Sequence, residues 1–101
     1  MTGASSRRKG HEYERQVAHY LDTITTRNHA PGAHLDAGDL VVEGWLLEAK
    51  NHTRLELGPW LDLATAKADD DQRVALVVKR RQRPIGDSFV VMTLDTLKEL
   101  L

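Results

Sequence analysis

The sequence predicts an α/β domain in which a mixed central sheet is flanked by helices. Three observations predict this class: an amphipathic helical pattern opens the chain, short strand-like runs follow, and a second helical segment separates them from a continuous apolar run. With 101 residues, 41% of them hydrophobic, the chain is long enough for one domain with a modest core. Folds that need about 250 residues, such as an eight-stranded α/β barrel, are excluded.

The first third of the chain divides into a polar arm and a helix. Residues 1–9 are small, polar and basic, which predicts a flexible arm, and residues 10–101 are predicted to form the single folded domain. We expect the helix to end near residue 28, ahead of the helix-breaking pair Pro31-Gly32. Its apolar face is predicted from the helical spacing of Tyr13, Val17, Tyr20, Leu21 and Ile24.

Two apolar runs then predict a hairpin. Residues 39–43 and 45–50 read as strands, and because Gly44 alone separates their apolar parts, the turn between them must be tight. A further, weaker strand is expected at residues 33–36.

The second half of the chain predicts a helix, two strands and a terminal helix. Gly58-Pro59 opens a helix that passes through Ala68 and ends in the run Asp69-Asp70-Asp71. Residues 74–78 form a continuous apolar run typical of a central strand buried on both faces. A strand at residues 89–92 and a helix at residues 94–101 complete the order.

Composition excludes several classes of function. The chain contains no cysteine, which removes disulfides, thiolate zinc sites and thiol nucleophiles and suits a reducing compartment. No apolar run approaches the roughly 18 residues of a membrane span, so we expect a cytoplasmic protein that does not enter the membrane. Neither a glycine-rich phosphate loop nor a serine in a nucleophile elbow is present.

The formal net charge of −1 hides two basic clusters. Residues 1–9 hold three basic and no acidic side chains, and residues 79–83 hold four basic side chains. Removing these seven from the 14 basic residues leaves 7 against 15 acidic ones. Clustered cations can act locally on phosphates whatever the total charge, although such runs are also common on solvated surfaces.

Three acidic residues stand where simple patterning would not put them. Glu48 and Lys50 share one face of a predicted strand, and Asp39 opens the preceding strand directly after a glycine. Glu14 points toward the apolar side of the first helix, where an unpaired carboxylate would cost several kcal/mol. These positions predict a cluster of carboxylates and a lysine at one edge of the sheet.

Such a cluster suits metal-assisted hydrolysis of a phosphodiester. Mg²⁺ prefers carboxylate and carbonyl oxygens, and Asp39, Glu48 and the backbone carbonyl of Ala49 would supply them. Lys50 would orient or deprotonate the attacking water, or stabilise developing negative charge. The alternative is that Glu48 and Lys50 form a surface ion pair worth about 0–1 kcal/mol. His52 and Asp36 are further candidates, for substrate contact and for a ligand or turn cap respectively.

Three stretches carry a resemblance to a known family: RKGHEYER at residues 8–15, GDLV at residues 38–41 and LEAK at residues 47–50. Together they resemble the PD-(D/E)XK nuclease superfamily, and within it most closely the archaeal-type Holliday-junction resolvases. The resemblance extends from Arg7 to about Leu101. It implies an αβββαβ core like that of restriction endonucleases.

The resemblance further implies a Mg²⁺-dependent, structure-selective DNA endonuclease, with Mn²⁺ able to substitute. Asp39, Glu48 and Ala49 would hold the metal, Glu14 would complete the cluster directly or through a water, and Lys50 would assist catalysis. The expected substrate is branched DNA, above all a four-way junction, cut symmetrically by a homodimer. Phosphate contacts are expected from the basic clusters: Arg7, Arg8, Lys9, Lys79, Arg80, Arg81 and Arg83.

Two alternatives remain open at this point. A nuclease of the same superfamily that acts on flaps, mismatched sites or ordinary duplexes would carry the same residues. A non-catalytic DNA-binding module of the same fold would keep the architecture without turnover.

Overall fold

A computed structural model of the protein describes residues 3–25 and 39–101, with the backbone alone described at residues 3–7, 24–25, 39 and 41. The described elements are, in chain order, helix α1 (Gly3–Tyr20), strands β1 (Ile24–Thr25), β2 (Asp39–Val42) and β3 (Trp45–Lys50), helix α2 (Leu57–Lys67), strand β4 (Arg73–Val78), a 3-10 helix (Ile85–Asp87), strand β5 (Phe89–Val91) and helix α3 (Leu94–Leu100).

The strands form one sheet in the order β1-β2-β3-β4-β5. Strands β3 and β4 are parallel, with α2 as the crossover between them, and the other neighbouring pairs are antiparallel. The prediction of an α/β domain with a mixed sheet flanked by helices is therefore confirmed. The weak strand expected at residues 33–36 lies outside the described residues, and no helix within them is both long and apolar enough to cross a membrane.

The hairpin of β2 and β3 is as tight as its sequence predicts. Val42 pairs with Trp45, which leaves only Glu43 and Gly44 for the turn. Gly44 takes a φ of +80°, a left-handed conformation that a residue without a Cβ adopts at little cost. The turn fixes the register of every later pair along the hairpin.

Two apolar clusters cover the two faces of the sheet. On one face α1 packs through Tyr13 and Val17 against Leu40 and Val77. The other face belongs to α2, which buries Trp60 and Ala64 against side chains of β3 and β4, namely Leu46, Val74, Leu76 and Val78. Residues 74–78 are all buried, as predicted for a central strand covered on both sides.

Helix α1 differs from its prediction at both ends. It begins at Gly3 and not at Gly10, so residues 3–9, predicted to belong to a flexible arm, form its first two turns. No proline or second glycine interrupts residues 4–9, and arginine and lysine are good helix formers.

The helix also ends at Tyr20 and not near residue 28. Asp22 adopts a left-handed φ of +54°, and the backbone N–H of Thr23 donates to the carbonyl of Ala18 at 2.8 Å. These are the marks of a Schellman C-terminal motif. The β-branched residues that follow enter β1, where Ile24, predicted for the helix, pairs with Val41.

Candidate active site

The hairpin register brings the two expected metal-binding positions together. Asp39, the first residue of β2, lies directly opposite Glu48 of β3. Positions directly opposed in an antiparallel pair share one face of the sheet, with Cβ atoms about 5 Å apart. Because Glu48 alternates with Leu47, which faces α1, this is the face that α2 covers.

The Glu48 carboxylate is buried between two lysines. The residue is 7% exposed, its Oε1 lies 3.1 Å from Nζ of Lys50, and its Oε2 lies 3.3 Å from Nζ of Lys67. The Lys67 contact is an ion pair without hydrogen-bond geometry, so Oε2 is a buried oxygen that accepts no hydrogen bond from the described groups. The pair of Glu48 and Lys50 is therefore not the solvated surface ion pair that the sequence offered as an alternative.

An aromatic ring fixes the position of Lys50. The Lys50 ammonium lies 5.4 Å from the centroid of the Trp60 ring, and the His52 ring packs against the same indole at 5.0 Å between centroids. Trp60 is itself 8% exposed and part of the core under α2. The buried indole thus contacts one side of the lysine, and Glu48 pairs with its charge.

The backbone supplies a third oxygen at the same edge. The N–H groups of Arg73 and Lys79 in and after β4 donate to the carbonyls of Gly44 and Lys50, at 2.9 and 3.0 Å. Since successive carbonyls along a strand point to opposite sides, the carbonyl of Ala49 is directed toward β2. It lies one residue past Glu48, which faces the first described residue of β2.

These oxygens fit a hard divalent cation. A buried carboxylate oxygen without a hydrogen bond, a second carboxylate position opposite it and a backbone carbonyl directed toward β2 form an oxygen-only donor set of the kind that Mg²⁺ takes. No group of three or more histidine, aspartate or glutamate side chains lies within metal-binding reach among the side chains that the structure describes, which do not include that of Asp39.

Glu14 is buried as the sequence predicts, with 2% exposure, but it belongs to the layer of α1. Its helical neighbours Tyr13 and Val17 pack against Leu40, on the face of the sheet opposite the Glu48 carboxylate. The two buried glutamates therefore lie in different layers of the domain. A shared acidic site that includes Glu14 remains a prediction.

The second basic cluster begins beside Lys50. The backbone N–H of Lys79 binds the Lys50 carbonyl, so the loop of residues 79–83 starts at the same end of the sheet as the Glu48 pair. Arg81 donates to the hydroxyl of Thr53, which joins this loop to the segment that follows β3. Of the remaining cations, Arg80 lies over the Phe89 ring at 4.7 Å and Arg83 is paired with Asp87.

A buried tyrosine supports this loop from the α1 side. The Tyr13 hydroxyl donates to Oγ of Ser88 at 2.7 Å, and the Lys79 ammonium lies 5.9 Å from the centroid of the Tyr13 ring. Burial raises the pKa of the Tyr13 phenol above its ordinary value of 10.0, and the hydrogen bond to Ser88 acts in the opposite direction.

The first basic cluster faces solvent where its side chains are described. Arg8 and Lys9 are exposed on α1, and the Arg7 side chain lies outside the described residues.

Lys67 and the role of Trp60 were not found from the sequence. A signal exists, because Trp60, Ala64 and Lys67 follow at i, i+4 and i+7 on one face of α2. That spacing predicts a lysine on the buried stripe of the helix. The partner of this lysine, however, depends on how α2 packs across β3.

Compared with family models, curated proteins and solved structures, the chain matches none of them. The functional assignment therefore depends on the residues of this site alone.

Proposed function

We propose that the protein is a Mg²⁺-dependent DNA endonuclease of the PD-(D/E)XK type that acts on four-way junctions. The observation that carries the proposal is the opposition of Asp39 and Glu48 in the hairpin, with Lys50 held on the same face. The order helix, three strands, helix, strand agrees with the core that the motifs imply.

Asp39, Glu48 and the Ala49 carbonyl would hold the metal, and Mn²⁺ would substitute for it. When bound, a divalent cation lowers the pKa of a coordinated water and offsets charge on the phosphate. The protein's own side chains position the Lys50 ammonium. Trp60 and Glu48 restrain the Lys50 ammonium, so that it meets the attacking water or a phosphate oxygen at little further entropic cost.

The basic clusters would contact DNA phosphates outside the reaction centre. The loop of residues 79–83 starts beside Lys50, and its cations would bind the DNA backbone on either side of the cut without contacting the bases. Arg7, Arg8 and Lys9 would add contacts from α1. Recognition of a junction would then depend on the shape of the DNA.

The proposal includes a homodimer in the cytoplasm. Resolution of a four-way junction needs two symmetric cuts, and a twofold dimer supplies two equivalent sites. The cysteine-free composition suits a reducing compartment.

A second candidate is a non-catalytic DNA-binding module. It is favoured by one observation, the pairing of the Glu48 carboxylate with two lysines, because such a network stabilises a strand and a helix without any chemistry. In that case Lys50 and Lys67 would serve the fold, and the basic loop alone would serve DNA.

A panel of substrates separates these functions. The protein is incubated with a four-way junction, a flap, a linear duplex and a single strand of matched length, in Mg²⁺ and in EDTA. We expect paired symmetric nicks in the junction only, and only with Mg²⁺. Equal cutting of all substrates would contradict the junction preference and leave a nuclease of the same type. Binding of the junction without cutting would favour the module.

A further inference from the structure

Lys67 is the one charged residue on the buried stripe of α2. Trp60 and Ala64, one and two turns before it, anchor the helix on the sheet with 8% and 0% exposure. This packing carries the ammonium of Lys67 to within 3.3 Å of Glu48 Oε2, and the lysine side chain is 22% exposed. Its stem follows the apolar surface while its charge reaches a buried carboxylate.

The ammonium lies at the oxygen that a metal would need. Oε1 of Glu48 lies within hydrogen-bonding distance of Nζ of Lys50. Oε2 accepts no hydrogen bond from the described groups and is ion-paired with Lys67. A divalent cation bound to Oε2 at about 2 Å would meet a like charge at a separation where repulsion is strong. Ammonium and metal therefore cannot both stay close to this oxygen.

Charge balance leads to the same conclusion. Among the described side chains, the Glu48 carboxylate carries one negative charge and faces the two positive charges of Lys50 and Lys67. The proposed ligand Asp39 would add one negative charge, so that the site would be neutral before any metal enters and would reach a charge of +2 with a divalent cation. Neutralisation of one lysine would restore part of the attraction.

We propose that Lys67 competes with the divalent cation for Oε2 of Glu48 and thereby keeps the metal affinity of the site low. The inference rests on the proposed function, since it takes Glu48 as a metal ligand. It assigns Lys67 a regulatory role, as a built-in cation that metal binding must displace. Lys67 is not a catalytic residue in this account.

Calorimetric titration of Mn²⁺ into the protein without DNA tests the inference by a readout that does not depend on cleavage. The variants are Lys67→Gln, which removes the charge, Lys67→Arg, which keeps it, and Lys98→Gln, which removes the same charge from an exposed position on α3. We expect Lys67→Gln to bind Mn²⁺ about tenfold more tightly than the natural chain, and the other two to remain within about threefold of it. Melting curves in EDTA show whether each variant is folded.

The outcomes distinguish this inference from the proposed function. Equal or weaker Mn²⁺ affinity in Lys67→Gln would overturn the competition while leaving the metal site in place. Tightening in Lys98→Gln as large as in Lys67→Gln would also overturn it, because the effect would then be one of total charge. Absence of Mn²⁺ binding in every variant would overturn both the inference and the metal-dependent function. If Lys67→Gln fails to fold, Lys67→Met, which removes the charge but keeps the apolar stem, replaces it. Mn²⁺ binding about tenfold tighter than in the natural chain then supports the competition, and an unchanged affinity contradicts it.

Discussion

The buried pair of Glu48 and Lys50 should show a larger coupling energy than an exposed pair does. Oε1 of Glu48 lies 3.1 Å from Nζ of Lys50, and the side chains are 9% and 19% exposed respectively. Two unit charges about 4 Å apart attract by about 4 kcal/mol at an effective dielectric constant of 20, and the cost of desolvation cancels part of this. We therefore expect a coupling energy of about 1–3 kcal/mol between the two side chains.

A double-mutant cycle measures that coupling. The free energy of unfolding is determined by urea denaturation in EDTA for the natural chain, Glu48→Gln, Lys50→Gln and the double variant, with unchanged m-values as the check on two-state behaviour. The exposed pair of Arg73 and Glu99, at 40% and 60% exposure, is the matched control and should give less than about 1 kcal/mol. A Glu48–Lys50 coupling no larger than that of the control pair would refute the reasoning from burial.

Three further predictions concern the core, a buried phenol and the basic loop. Leu76 lies in the middle of β4 with 0% exposure, and the substitution Leu76→Ala should lower the free energy of unfolding by about 2–5 kcal/mol. A loss below about 1 kcal/mol in urea denaturation would contradict the observed packing of this side chain. The pKa of Tyr13 is raised in the folded state, so the neutral phenol's contribution to folding stability is complete below pH 10.0 and is lost as the pH rises through the folded-state pKa. Above pH 10, the melting temperature should therefore fall less with pH in Tyr13→Phe than in the natural chain. Equal falls would argue against the burial of the phenol. Changing Arg80 and Arg81 together to glutamine should weaken DNA binding and reduce the slope of log affinity against log salt concentration by about 2, and an unchanged slope would remove this loop from the phosphate contacts.

The central hairpin could be predicted almost residue by residue. Strand β3 spans residues 45–50 as expected, and the turn at Glu43 and Gly44 follows from a single glycine between two apolar runs. Once the turn is fixed, the pairing of Asp39 with Glu48 follows by counting. Local signals were sufficient here because a tight hairpin is a local structure.

The end of α1 could not be predicted in this way. Ile24 continues the helical spacing of the apolar residues, yet Asp22 adopts the left-handed conformation that ends the helix two residues before it. Ile24 then pairs with Val41, seventeen positions away, and this long-range contact outweighs the local periodicity.

The composition of the candidate site was predicted only in part for the same reason. Alternation along β3 puts Glu48 and Lys50 on one face, but it does not tell which helix covers that face. The structure shows that α2 covers it, which adds Lys67 and Trp60 to the site, whereas Glu14 belongs to α1 on the other side of the sheet. Layer packing depends on contacts between distant segments, and no pattern within one segment reports it.

The most direct test of the central claim is the single-turnover rate of four-way junction cleavage in Mg²⁺, measured together with junction affinity. Asp39→Asn, Glu48→Gln and Lys50→Gln are compared with Lys98→Gln, an exposed change outside the site. We expect each of the first three to lower the cleavage rate by about 100-fold or more while junction affinity changes little, and Lys98→Gln to cut at the rate of the natural chain. Cleavage by Glu48→Gln at the rate of the natural chain would contradict the claim that this buried carboxylate is part of an active site.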